Sequence, residues 1–429
     1  MSETTQYVAA ALFAIAVLHT FSVSLFARLG HRYPAHHGVF HLLGEVEAVF
    51  GMWSMILFAW LIFAEGFGKA VDYADTRNYT EPLFVFVIMV VAASKPIMVT
   101  AKNIVEIISR ALPMDRFTAR YLVLMTCVPM LGSFITEPAA MTLAALMLLR
   151  YFGATTTTTF KYATIGTLFV NVSIGGTLTH FAAPPVLMVA AKWDWNTAYM
   201  FSHFGWKAAI AVFINGLLLT ALFRKQLRAA SAEAADNATD SHDASEVRIP
   251  GLMVLLHLLM IGGVVLFAHH SPVFLGIFLL FLGVAAAYPQ FQERLIIREG
   301  LMVGFFLAGL VVLGGMQSWW LQPLLSQMSP TSVYYGATAL TAITDNAALT
   351  YLGSLVEGLS EEFKYMLVAG AVTGGGLTII ANAPNPAGAA VLKGRFEGNN
   401  LSPGPLFLAA LGPTIITILC FQLLPMTLW

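Results

Sequence analysis

Ile135-Thr136-Glu137-Pro138-Ala139-Ala140-Met141-Thr142 and Ile343-Thr344-Asp345-Asn346-Ala347-Ala348-Leu349-Thr350 share five of eight residues, and each carries a carboxylate in third position. Both lie inside long apolar stretches. Ionisable groups inside a bilayer are costly and mark functional positions. A motif of this kind present twice suggests a chain built from two related halves with a shared site between them.

The composition supports that setting. The chain has 429 residues, 58% apolar and only 10% charged, whereas a soluble domain carries about 25% charge. This composition reads as an all-α polytopic membrane protein. The net charge of −1 and the lack of a basic tail or basic aromatic patch give no sign of nucleic-acid binding. Cys127 and Cys420 lie in separate apolar segments without metal-binding spacing. The N-terminal Met-Ser-Glu-Thr-Thr-Gln lacks a basic n-region, so the first apolar run is expected to remain as a span.

A span needs about 20 mostly apolar residues. Ten are expected, near 6–27, 38–63, 82–104, 161–191, 203–223, 250–269, 272–289, 300–323, 362–392 and 403–428. The regions 121–149 and 333–357 are short for two spans each and lack a polar centre. They read as re-entrant hairpins with the repeated motif at the tip, a geometry tolerated only where protein or a cavity covers the backbone.

The basic residues orient this layout. With both termini outside, sixteen Lys/Arg fall inside, five (Lys69, Arg77, Lys192, Lys207 and Lys364) fall outside, and Lys95 is left within a span. The polar segment 229–247 reads as a flexible, acidic cytoplasmic linker. It separates a first repeat, 1–228 (hairpin 121–149, broken helix 161–191), from a second, 248–429 (hairpin 333–357, broken helix 362–392). The first starts outside and the second inside, so the two are expected to be inverted.

A second pair of motifs follows the first in each half. Gly175-Gly176-Thr177-Leu178-Thr179 matches Gly374-Gly375-Gly376-Leu377-Thr378, and each precedes a proline-rich stretch, 181–185 and 381–386. Glycine and proline in mid-span break the helix and free backbone carbonyls that suit a cation. The residues 153–159, rich in threonine, lengthen the first half.

A carboxylate in an apolar site takes up a proton near neutral pH, and when ionised it is a hard ligand for a small cation. Glu137 and Asp345 are therefore candidates to exchange a proton for sodium or lithium. Thr136, Thr344, Asn346 and freed carbonyls at Gly176, Thr177 and Gly375 would complete an ion shell, with sodium at Asp345, Asn346 and Thr344. Asn382 and Asn385 are candidates to line the path, with weaker support for Asn171 and Ser173. The plainer alternative is a carboxylate that only caps the hairpin tip. Lys95 is a proton-coupling candidate that would pair with Glu137 or Asp345 and exchange its proton during the cycle, the alternatives being a static salt bridge or a snorkelling side chain. His180 is a candidate proton relay or a packing histidine. Glu45 and Glu47, with His36, His37 and His41, read as a solvated helix end rather than a pH sensor; haem or metal binding by these histidines is disfavoured.

At 343–352 and 382–386 the chain resembles sodium/proton antiporters of the NhaD type, within the ion transporter superfamily. The resemblance implies a homodimer in which each protomer moves a transport domain against a fixed scaffold. It implies an elevator-like antiporter needing no cofactor beyond its coupled ions, expected in the inner membrane of a bacterium. One departure bears on substrate. Dicarboxylate carriers of that superfamily have neutral hairpin tips, whereas these tips carry acids. Anion or metalloid transport of the arsenite type stays the alternative on this scaffold. From another class, a non-transporting membrane scaffold or sensor also stays open. No zinc-protease or nucleophile-elbow motif suggests an enzyme.

Overall fold

The computed structural model describes residues 1–153, 156–237 and 248–428. Apart from short 3-10 turns and one π-helical turn, the regular structure there consists of twenty-four α-helices. The first half contains α1 (Glu3–Thr20), α2 (Val23–Arg32), α3 (His37–Leu43), α4 (Val46–Glu65), α5 (Phe67–Asp75), α6 (Thr80–Ala92), α7 (Lys95–Ala111) and α8 (Arg116–Met125). It continues with α9 (Cys127–Ile135), α10 (Glu137–Leu148), α11 (Thr158–Gly175), α12 (Pro184–Ala190), α13 (Thr197–Met200), α14 (Trp206–Leu222) and α15 (Arg224–Asn237). The second half contains α16 (Gly251–Leu266), α17 (Ser271–Ala287), α18 (Ile297–Gly314), α19 (Ser318–Leu325) and α20 (Pro330–Thr341). It ends with α21 (Asn346–Ser354), α22 (Glu361–Gly374), α23 (Asn385–Leu392) and α24 (Pro403–Leu423).

Four helical stretches are long and apolar enough to cross a membrane unaided: 47–65, 197–222, 297–314 and 403–423. Two bent pairs, α6–α7 and α8–α9, raise the number to six. The other expected spans are interrupted or shorter. The stretch 6–27 divides at Phe21–Ser22, 38–63 divides at Gly44–Glu45, and α16 and α17 have 16 and 17 residues. The expected continuous span 82–104 turns by 66° between α6 and α7. Its cause is legible in Ser94-Lys95-Pro96: Pro96 sits in the first turn of α7, while Ser94 is extended at φ −64°, ψ 148°.

The polar segment that reads as a linker starts differently. Residues 229–237 continue α15 as helix, because Ala-rich sequence favours that state. Residues 238–247, the rest of the segment, lie outside the described residues, as do 154 and 155 of the threonine-rich stretch. Lys207 is also corrected. It belongs to α14 and is fully buried, so it is not an outer-loop residue, and the outer tally falls from five to four.

Two apolar clusters frame the centre. One joins α4, α6 and α18 to α16 and α17, and the other joins α8, α10 and α11. The helices after the repeated acids pack across the halves. α10 of the first half lies on α23 of the second, and α21 of the second lies on α12 of the first. The paired helices α11 and α22 cross at Ser173, whose hydroxyl donates to the Val372 carbonyl at 2.7 Å.

Candidate ion-binding site

The two copies of the acid motif fold differently. In the first, α9 and α10 pack on one another and reverse at Thr136. Thr136 has φ 72° and ψ 151°, a region nearly confined to glycine and strained for a β-branched residue. Its hydroxyl is buried and unpartnered. Glu137 follows as the first residue of α10 and is 0% exposed. In the second copy Asp345 has an ordinary extended backbone and caps α21. Its Oδ1 accepts from the amides of Ala347 at 2.8 Å and Ala348 at 3.2 Å. Equivalent positions in sequence are thus one register apart relative to their helices, because Pro138 fits the first turn of a helix whereas Asp is a strong N-cap.

The broken helices bring the acids together. After α11, the residues 179–183 are non-helical, and after α22 so are 375–384. Both breaks are stitched to the preceding motif. Thr179 donates to the Ser133 carbonyl at 2.7 Å, and Thr378 donates to the Ala342 carbonyl at 2.9 Å. Ser133 also receives the Leu178 amide at 2.9 Å and donates to the Gly175 carbonyl at 2.7 Å. In the second half Asn385 does comparable work, donating to the carbonyls of Gly375 and Thr378, both at 2.8 Å.

Asn382 links the two acids. Its Nδ2 donates to Glu137 Oε2 at 2.8 Å. Asn382 also lines a cavity of about 30 Å³ with Asp345 and Glu47. That is room for one water-sized occupant. Glu137 Oε1, Asn382 Oδ1, Asn346 Oδ1, Asn385 Oδ1 and Thr136 Oγ1 are buried without a hydrogen-bond partner. Buried polar groups are normally satisfied, and exceptions call for an explanation such as an ion or water. Among the described residues no three of His, Cys, Asp and Glu converge as a metal cluster. A small cation here would rely on one or two acids supplemented by neutral oxygens.

Close backbone approach makes this packing possible. A Cβ on Gly176 would overlap Glu137 Oε1 and lie 2.6 Å from its Cγ. A Cβ on Gly375 would overlap Ser173 Oγ and lie 2.8 Å from Asn346 Nδ2. Asn346 thus faces the α11–α22 crossing, while its neighbour Asp345 faces Glu47 and Asn382. Thr177 satisfies its hydroxyl on the Ile174 carbonyl at 2.7 Å, and Thr344 is partly exposed.

Three further side chains have partners that sequence did not supply. Lys95 pairs with Glu293 at 3.4 Å rather than with Glu137 or Asp345. It heads α7 beside the sharp bend, which turns it toward the segment ahead of α18. His180 shares a hydrogen bond with Thr197 at 2.9 Å and lies against His269. Glu47 is the main addition. Rather than standing at a solvated end, it reaches the cavity of Asp345 while Glu45 takes Arg298 and His41 as partners. A polar residue two positions from a surface acid gave the only signal, since helical spacing puts Glu45 and Glu47 on different faces.

Apolar helices, cross-packed breaks and acids at their meeting point define an integral membrane transporter. The chain belongs to the family described as "Putative Na+/H+ antiporter", whose profile matches residues 4–424. Compared with curated proteins, the chain matches none.

Proposed function

We propose that the protein exchanges sodium, or lithium, for protons, with Glu137, Asn382 and Asp345 at the ion site. The observation that carries this reading is the Asn382 side chain, which bonds Glu137 and lines the small cavity of Asp345 and Glu47. One carboxylate that accepts either a proton or a hard cation, but not both together, couples their movement. The orphan oxygens of Glu137, Thr136 and Asn382 complete the cation's shell. An anion would meet acids at this crossing, which disfavours the dicarboxylate or metalloid alternative.

The exchanged packing of α10 on α23 and of α21 on α12 supports two inverted repeats. In this reading the helices around the breaks move as the transport body, in an elevator-like cycle, against a scaffold containing α4 and α18. The protein works as a homodimer in a bacterial inner membrane, with both termini outside. Reconstituted vesicles with an imposed pH gradient test the exchange. Sodium or lithium is expected to dissipate the gradient in wild type and not in Glu137→Gln or Asp345→Asn. A gradient insensitive to both ions in wild type overturns the proposal, and wild-type exchange in both variants overturns the site.

A further inference from the structure

A second, far larger cavity is walled in part by α10. It is an open groove of about 980 Å³ between α6, α7, α8, α10, the segment before α18, and α23. Pro138, next to Glu137, is in its wall. Six cationic side chains and three carboxylates line it. The three acids are used: Glu293 by Lys95 at 3.4 Å, Glu106 by Arg120, and Glu299 by Arg294 at 3.2 Å. Counted over its lining the groove has a net charge of +3 (six minus three), with Arg150 and Arg395 among its cations. Arg150 and Arg395 are exposed, and Arg150 stacks over the Tyr151 ring at 5.6 Å. The floor is apolar: Met98, Val99, Leu143 and Met147 line it, and Leu146 stays 51% exposed there.

We propose that this groove is a binding site for an anionic phospholipid, its phosphate held by Arg150 and Arg395 and its acyl chain laid along Leu143, Leu146 and Met147. Guanidinium groups suit phosphate through paired N–H donors. The apolar floor selects a lipid over a free anion, because a bare phosphate leaves that surface wet. The charge balance gives the lipid a role as well. A groove with a net charge of +3 repels an approaching cation, and a bound headgroup removes much of that barrier.

The test is lipid retention by the full-length protein in detergent, measured by native mass spectrometry with phosphatidylglycerol and phosphatidylethanolamine in competition. Wild type is expected to retain phosphatidylglycerol preferentially. At the usual contribution of a basic residue near an anionic lipid, Arg150→Gln with Arg395→Gln weakens retention about thirtyfold. Arg150→Lys with Arg395→Lys keeps the charge and recovers part of it. Equal retention of both lipids, or no loss in the double Gln variant, overturns the proposal. Displacement of the lipid by millimolar inorganic phosphate alone also overturns it, by showing that the floor contributes nothing. The readout needs no ion gradient, so it stands or falls separately from antiport.

Discussion

Asn382 uses its Nδ2 on Glu137 and leaves its Oδ1 without a protein partner, so a single amide serves both the acid and the cavity. Removing it strands a buried acid. A hydrogen bond to a charged group contributes about 1.5–3 kcal/mol. Asn382→Ala is therefore expected to weaken apparent sodium affinity by about ten- to hundredfold, read from the sodium concentration that half-dissipates a pH gradient. Gly176→Ala acts on the same acid by crowding. Overpacking of a tight core costs about 1–3 kcal/mol, so this variant should unfold at lower temperature in detergent and exchange slowly. Gly276→Ala, where a Cβ meets nothing within 4 Å, should match or slightly exceed wild-type stability.

The residues that could be read in advance were those whose chemistry conflicts with an apolar surrounding: Glu137, Asp345, Asn382 and Asn385. Their partners could not be read. Glu47 meets Asp345 from a helix 298 positions away in sequence, and helical spacing reports only the face of its own helix. Nor does similarity between the motifs disclose that Asp345 caps its helix while Glu137 begins one. That difference follows from Pro138 and Asn346, one of which lacks the amide that the other supplies. It also qualifies the expectation that the second copy would hold sodium, since one Asp345 oxygen is already committed to two amides.

At the scale of elements, α14 and α22 are joined by a buried lysine. Lys207 Nζ donates to Tyr365 Oη at 2.6 Å and lies 4.6 Å from the centre of that ring. A buried charge deprived of its partner costs about 3–5 kcal/mol, whereas replacing the charge itself with an apolar side chain is often neutral. Tyr365→Phe is thus expected to lower thermal stability more than Lys207→Met does, although it removes a single oxygen. The Tyr365 hydroxyl also donates to the Phe421 carbonyl at 3.3 Å, tying α24 to the same point. Helix existence was legible from hydropathy along most of the chain. Bends were legible only where glycine or proline marked them, and the lengths of single apolar runs overstated the number of uninterrupted spans.

Over the whole molecule, the proposed orientation with both termini outside leaves sixteen Lys/Arg inside against four outside, because Lys207 is buried in α14. Such a bias sets orientation when it lies near span ends. In a background with Cys127 and Cys420 replaced by Ser, Thr76→Cys should react with an impermeant thiol reagent from outside intact cells. Gly394→Cys should react only after the membrane is opened. The reverse pattern would invert the orientation.

The bond between Asn382 and Glu137 spans 245 positions and joins the break of one half to the acid helix of the other. Its mechanical consequence is that α10 and α23 form a weld. Any rearrangement that slid one half past the other at this point would first tear a buried polar contact. In the proposed cycle, the opening seam is therefore expected to run elsewhere. One natural course is between this welded core and the α4–α18 pair, where the cavity of Asp345 is walled by Val303, Phe306 and Glu47. Glu47 would then stay behind when the core departs, so the ion would face one acid fewer at the far side than at the near side.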